Sequence, residues 1–116
     1  MNYEWHFSDD KPIYSQIVEQ FQILIVSGKL LPGDKLMSVR DLACSAQVNP
    51  NTMMRALGEL ENRKLIISHR VNGKTVTEDM DLIQQLKSEL AKKVIDEFVE
   101  SMGKLGFSRE EILKMI

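Results

Sequence analysis

Apolar residues recur at three- and four-residue steps through most of the chain, and glycine, proline or small polar residues stand where the steps stop. Ile13, Ile17, Phe21 and Leu24, with Tyr14, Val18 and Ile25 beside them, make one wide apolar face, so a helix is expected to about Ser27. Pro12 suits its first turn, where the missing N–H costs nothing, and Gly28 is a natural stop. Leu30-Leu31-Pro32-Gly33-Asp34 predicts a turn, with proline second and glycine third. Ser38 then opens a short second helix as its cap, with Asp41 three residues on and Val39, Leu42, Ala43 and Ala46 on one side. After Gln47-Val48 a third helix begins at once. Asn49 is its cap, Pro50 its first residue, and Met53, Ala56, Leu57 and Leu60 its inward face. Two short helices separated by about three residues form a helix-turn-helix pattern.

Beyond the third helix the period changes. Leu65 to Arg70 and Thr75 to Thr77 read as two strands around Asn72-Gly73, whose preference for positive φ predicts a type I′ hairpin turn. Three helices and a hairpin make a winged helix. From about Asp79 a long helix is expected to Met102, with Leu82, Leu86, Leu90, Val94, Phe98 and Met102 every four residues. Ile83, Ala91, Ile95 and Val99 widen that stripe, and Gly103 and Gly106 are expected to break the helix. Ser108 to Glu111 is a capping box opening a last short helix with Ile112, Leu113 and Ile116. At the other end, Tyr3 to Phe7 alternates aromatic with polar residues, either a short strand or an arm that packs its rings. The fold class expected is mainly α with a small β-hairpin: a winged helix-turn-helix over residues 1–77 and a two-helix dimerisation tail over 78–116.

Composition narrows the class without changing this outline. At 116 residues there is room for one domain and an appendage, and 43% apolar with 28% charged residues describes a globular chain. The longest apolar runs, such as Ile23 to Val26, are too short to span a bilayer. The opening Met1 to Trp5 carries no basic region and apolar stretch of the kind a secretory signal needs. A single cysteine, Cys44, excludes an intrachain disulfide and a Cys-pair zinc site, which fits a reduced, cytoplasmic protein with no metal and no cofactor. Cys44 itself is expected to be a small buried hydrophobe, and His6 a packing residue among the aromatics. His69 is expected on the wing or the surface.

Net charge is −2, but its distribution matters more. Residues 29–77 carry eight basic and four acidic side chains, a net of +4, whereas 78–116 carry six basic and nine acidic, a net of −3. A basic middle and an acidic tail fit a DNA-facing module joined to a part that faces away from phosphate. Asn49, Asn51, Thr52 and Arg55 crowd the start and outer face of the third helix, the part of a helix-turn-helix that enters the major groove. Asparagine can pair with adenine at two atoms, threonine can meet a thymine methyl, and arginine suits guanine or phosphate. The plainer reading is that these are capping and surface residues. Ser38 and Arg40 can clamp the backbone strand beside the groove; otherwise Arg40 is a solvated charge. Arg70, Gly73 and Lys74, with Asn72, can lie along the minor groove, or they are a plain turn with charged flanks.

Catalysis has little to draw on. The two histidines lie in separate regions, and no metalloprotease, nucleophile-elbow or phosphate-loop pattern is present. The tail's stripe calls for a partner surface; the winged domain of the same chain can cover part of it, but a second copy of the same tail is the economical partner.

Pro12-Ile13-Tyr14, Gln16-Ile17, Gly28-Lys29-Leu30, Pro32-Gly33-Asp34, Leu36, Ser38, Arg40-Asp41-Leu42-Ala43, Val48-Asn49-Pro50-Asn51-Thr52, Arg55-Ala56-Leu57 and Leu60-Glu61 together resemble the GntR family of bacterial transcription regulators over roughly residues 10–77. The short two-helix tail is similar to the YtrA-like branch. That resemblance implies DNA contacts at Arg40, Asn49, Asn51, Thr52 and Arg55, a wing tip at Gly73, and control of ABC-transporter genes. Met37 stands where the family usually has proline, Val71-Asn72-Gly73 carries one glycine where Gly-x-Gly is common, and Met54 stands where some relatives have a polar or basic residue. The expectation is a homodimeric repressor of a double-stranded, inverted-repeat DNA operator. Two rivals are a winged helix that docks a protein and a small-molecule switch between tails lined by Phe98 and Met102.

Overall fold

The computed structural model describes residues 3–116; Met1 and Asn2, with which the opening stretch and the expected first domain begin, lie outside the described residues. Helices α1 (Ile13–Val26), α2 (Val39–Ala46) and α3 (Pro50–Asn62) are followed by strands β1 (Ile66–His69) and β2 (Gly73–Val76), then by helices α4 (Met80–Lys104) and α5 (Arg109–Met115). It is a winged helix-turn-helix with a helical C-terminal part. Two compact units, Met1–Ile83 and Gln84–Ile116, divide within α4.

In the first unit α3 is the hub, packing on α1, α2 and β1. Ile17 and Phe21 of α1, Leu42 of α2, Met53, Ala56 and Leu60 of α3, and Leu30 are fully buried, with Ile66 and Val76 of the hairpin nearly so. Each large side chain so buried contributes about 1.5–3 kcal/mol, which is how helices as short as α2 hold their shape. The arm from Tyr3 to Phe7 forms no strand. Its rings turn inward: Tyr3 and Trp5 meet Phe21 edge-on at 6.0 and 5.5 Å between centroids. Trp5 Nε1–H also donates to Ser45 Oγ of α2 at 3.3 Å. Two glutamines one helical turn apart fasten the arm's backbone. Gln16 exchanges hydrogen bonds with the N–H and C=O of Ser8, and Gln20 with those of His6. His6 is therefore held by its backbone while its side chain is exposed, not packed among the aromatics, because alternation sends Glu4 and His6 outward.

Three helices end alike. At the ends of α2, α3 and α4 the N–H groups of Val48, Leu65 and Phe107 donate to carbonyls five residues back, of Ala43, Leu60 and Met102. The preceding residue in each case, Gln47 (φ 56°), Lys64 (φ 64°) or Gly106 (φ 95°), is left-handed. This is the Schellman arrangement, which satisfies carbonyls that the last helical turn leaves open. Gly103, expected to break the long helix, lies inside α4, and Gly106 ends it.

The hairpin differs from the expected two-residue turn. His69 pairs with Gly73, so Arg70, Val71 and Asn72 form a three-residue loop, and Gly73 alone of the Asn72-Gly73 pair has positive φ. A type I′ turn needs both. The Leu31–Asp34 turn forms as expected, with Asp34 N–H on Leu31 O and Gly33 at φ +81°. The residues after it then run beside β2: Gly33 and Leu36 donate to Val76 and Lys74 carbonyls, and Val76 N–H donates to Asp34. This short third edge, bridged at Lys35 and Thr75, joins the entry of α2 to the wing.

In the second unit, α5 carries the expected capping box, with Ser108 Oγ accepting from Glu111 N–H and the Glu111 carboxylate accepting from Ser108 N–H. Its Ile112 is buried. Along the stripe, which starts in the first unit with a half-buried Leu82, Leu86 is buried, Leu90 and Met102 are half-buried, and Val94 and Phe98 are exposed.

Candidate nucleic-acid interface

The start of α3 is fixed by its cap. Asn49 Oδ1 accepts the Asn51 N–H at 2.8 Å, which commits that oxygen to the helix and leaves the amide NH2 for a partner. Asn51 and Arg55 follow one turn apart on the exposed side, with Met54 between them 58% exposed and Thr52 half-buried. Met53, Ala56, Leu57 and Leu60 occupy the opposite side and anchor it. Arg55 is not loose: its guanidinium carbon sits 3.7 Å above the centroid of the Tyr14 ring, in the first turn of α1. Ser38 caps α2 by accepting the Asp41 N–H at 3.1 Å, and Arg40 stands exposed in that helix's first turn.

The wing presents its loop to solvent. Arg70 and Asn72 are exposed, and Val71 between them is 90% exposed. His69 Nε2 and Thr75 Oγ1, 2.8 Å apart, tie the two strands together on the surface. Lys74 is the exception among the expected contact residues. Its ammonium is paired with Glu61 of α3 and donates to Ser68 Oγ at 2.7 Å, so it braces the wing against the helix rather than standing free. The Lys74 and Ser68 hydrogen bonds hold the Glu61 carboxyl below its ordinary value. At the arm, burial followed by the Asp34 charge pushes the Tyr3 hydroxyl upward.

Ser38, Gly73 and Lys74 come together around a cleft of about 380 Å³ between the entry of α2 and the wing loop. Lys35 joins them, with its Cε 3.7 Å from where a Cβ on Gly73 would stand. The hydrophobic pattern did not mark Lys35, because its place depends on the third edge beside β2. Tyr14 was equally hidden, since helical periodicity assigns it only to the apolar face of α1. Among the described residues the ion pairs are Arg63–Glu59, Lys74–Glu61 and Lys104–Glu100. Lys35, Arg40, Arg55 and Arg70 are thus cations without an acidic partner. Cys44, expected to be buried, is exposed, because α2 turns Leu42, Ala43 and Ala46 inward and places residue 44 on its other side. Among the described residues no cluster of His, Cys, Asp and Glu is placed to hold a metal ion, and no helix is long and apolar enough to cross a membrane.

The model of the bacterial regulatory proteins of the gntR family matches residues 13–76. Over 110 residues, covering 95% of this chain and 91% of the relative, the sequence is 40% identical to the uncharacterized HTH-type transcriptional regulator YhcF of Bacillus subtilis. It is 37% identical over 91 residues, 73% of this chain and 70% of the relative, to the HTH-type transcriptional repressor YtrA of the same organism. Among solved structures, a GntR family transcriptional regulator from Listeria monocytogenes superposes with a TM-score of 0.86 at 45% identity, covering 94% of this chain and 96% of that one. The DNA-binding domain of AraR, solved in complex with operator ORX1, superposes with a TM-score of 0.56 at 28% identity over 65% of this chain and 92% of that one. These relatives are regulators, not enzymes. The chain belongs to the GntR family, in its YtrA-like branch, and is a DNA-binding transcription regulator.

Proposed function

We propose that the protein is a homodimeric, cytoplasmic repressor that reads an inverted-repeat operator, with residues 1–77 as the reader and 78–116 as the dimerisation tail. Two identical readers related by a two-fold axis call for a matching palindrome. The observation that carries this reading is the exposed start of α3, where Asn51 and Arg55 stand one turn apart and Arg55 has no acidic partner among the described residues. Asn49, Asn51, Thr52 and Arg55 read base edges in the major groove, while Ser38 and Arg40 hold the flanking phosphates. Arg70 and Gly73 follow the minor groove beside them, with Lys74 setting the angle of the wing. Dimerisation uses the part of the stripe that the single chain leaves open, from Leu90 through Val94 and Phe98 to Met102. Leu82 and Leu86 begin that stripe, and Leu86, already buried, adds least to it. Repression, and control of genes for an ABC transporter, follow from the similarity to the YtrA-like branch. Deleting the gene is expected to raise transcription of the neighbouring operon. Unchanged or lower transcription would argue against repression.

A further inference from the structure

Arg55 combines two properties that rarely meet on a surface side chain. Its guanidinium has no carboxylate partner among the described residues, and yet it is seated, 3.7 Å above the Tyr14 ring. A free arginine carries several rotatable bonds, and fixing them on binding costs entropy. A guanidinium laid over an aromatic face is held by the ring's quadrupole while its N–H donors around the edge stay available. That division of labour suits a bidentate contact to the O6 and N7 of guanine, which needs the donors in one plane and in one place.

Tyr14 is itself well fixed. It is the second residue of α1, just ahead of the buried run Gln16, Ile17 and Val18, and α1 packs directly on α3. Tyr14 as a residue is half-buried, neither loose on the surface nor closed off from it. Platform and reader are thus carried by two helices that share one core. The stack is set by the fold rather than by a chance surface rotamer.

We propose that Tyr14 is a positioning residue for sequence recognition, holding the Arg55 guanidinium in the pose that reads guanine. This rests on the reading of α3 as the recognition helix. The role belongs to the ring face rather than to the hydroxyl, so phenylalanine should replace it and alanine should not.

The test uses the full-length protein and duplexes enriched from a random pool by the wild type. Tyr14→Ala is expected to weaken binding of the enriched duplex by about fivefold to thirtyfold, the range between the strongest exposed cation–π contacts and a desolvated one. Scrambled duplex should be affected much less, and Tyr14→Phe should stay within about twofold of wild type. In the Arg55→Ala background Tyr14→Ala should add nothing, because its effect passes through Arg55. Without DNA, the Arg55 side-chain N–H resonance should be shifted by the ring in wild type and Tyr14→Phe and should lose that shift in Tyr14→Ala. Additive losses from Tyr14→Ala and Arg55→Ala would overturn the proposal, as would wild-type binding by Tyr14→Ala. Equal losses in the phenylalanine and alanine variants would assign the effect to a hydroxyl–phosphate contact and overturn it too. A wild-type protein that enriches no sequence would instead bring down the DNA reading and this role with it, while the resonance shift still reported the stack.

Discussion

The two units bury their large apolar residues to very different degrees. In the first, Phe21 and Leu60 are wholly inaccessible and Leu57 nearly so, all inside a core built from three helices and a hairpin. In the second, Val94, Ile95 and Phe98 are 64%, 58% and 43% exposed, and Leu113 and Ile116 are more open still. One sequence has therefore made a unit that closes its own core and another that leaves a face uncovered. Patches of that kind on a water-facing helix mark association surfaces, and the proposed division into a reading unit and a pairing tail rests on this contrast.

The contrast breaks most sharply if one substitution is made twice. Phe21→Ala should cost about 3–5 kcal/mol, the usual loss for emptying a phenylalanine site in a packed core, seen as a lower melting temperature at every protein concentration. Phe98→Ala should leave the dilute protein's melting nearly unchanged and weaken only the concentration-dependent part. Equal losses at high dilution would mean that the tail closes its own core. Next in size is the double variant Val94→Glu with Phe98→Glu. It should sediment as a monomer and bind a full operator about a hundredfold more weakly, with half-site binding retained, because the second contact no longer benefits from linkage.

A smaller pair tests the helix ends that the two units share. Gly106 sits at φ +95° in the tail, so Gly106→Ala should destabilise by about 1 kcal/mol. Gln47 holds the same left-handed conformation in the reader at φ 56°, so Gln47→Gly should be neutral or stabilise by up to about 1 kcal/mol. Thermal melts of both variants decide, and destabilisation by Gln47→Gly would show that its side chain contributes more than its strain costs.

The smallest effect concerns the brace between wing and α3. Glu61 titrates below its ordinary value of 4.5 because Lys74 and then Ser68 hydrogen-bond its carboxylate. A lowered folded value adds stability above pH 4.5 that disappears as pH falls through it. The pair is part-exposed, so its contribution should be below about 1 kcal/mol. Comparing Glu61→Gln with wild type at pH 7 and pH 3.5 should show a difference at the higher pH that shrinks at the lower. A constant difference would remove the ion pair as its cause.

Much of this was legible in the sequence, and the residues show why. Ser38, Asn49-Pro50 and Ser108 with Glu111 mark helix starts because capping is local chemistry written in adjacent residues. The inward face of α3 follows from periodicity alone, whereas that of α1 also takes in Gln16 and Gln22, which no apolar pattern marks. Gln47 and Lys64 were not legible as left-handed stops, since neither is glycine or asparagine and both side chains are exposed, the stop being made by the backbone bonds of Val48 and Leu65. The pairing of Gly33 to Leu36 with β2 depends on contacts some forty residues apart, which no local pattern carries. Asn72-Gly73 suggested a tighter turn than the three-residue loop that forms, and Cys44 lies outward because a two-turn helix has little inward face to share. Arg55 was legible as an outward-facing residue of the third helix. Its platform was not, because a tyrosine on an apolar face looks like any other core ring.

The central claim is specific DNA recognition through α3, and fluorescence anisotropy tests it most directly. The protein is titrated against its own upstream duplex and a scrambled one at two salt concentrations. Binding to the upstream duplex should be tighter by a factor of about a thousand and should weaken steeply with salt, by roughly 0.9 logarithmic units per phosphate contacted for each tenfold rise. Equal, weak binding to both duplexes at both salt concentrations would contradict it.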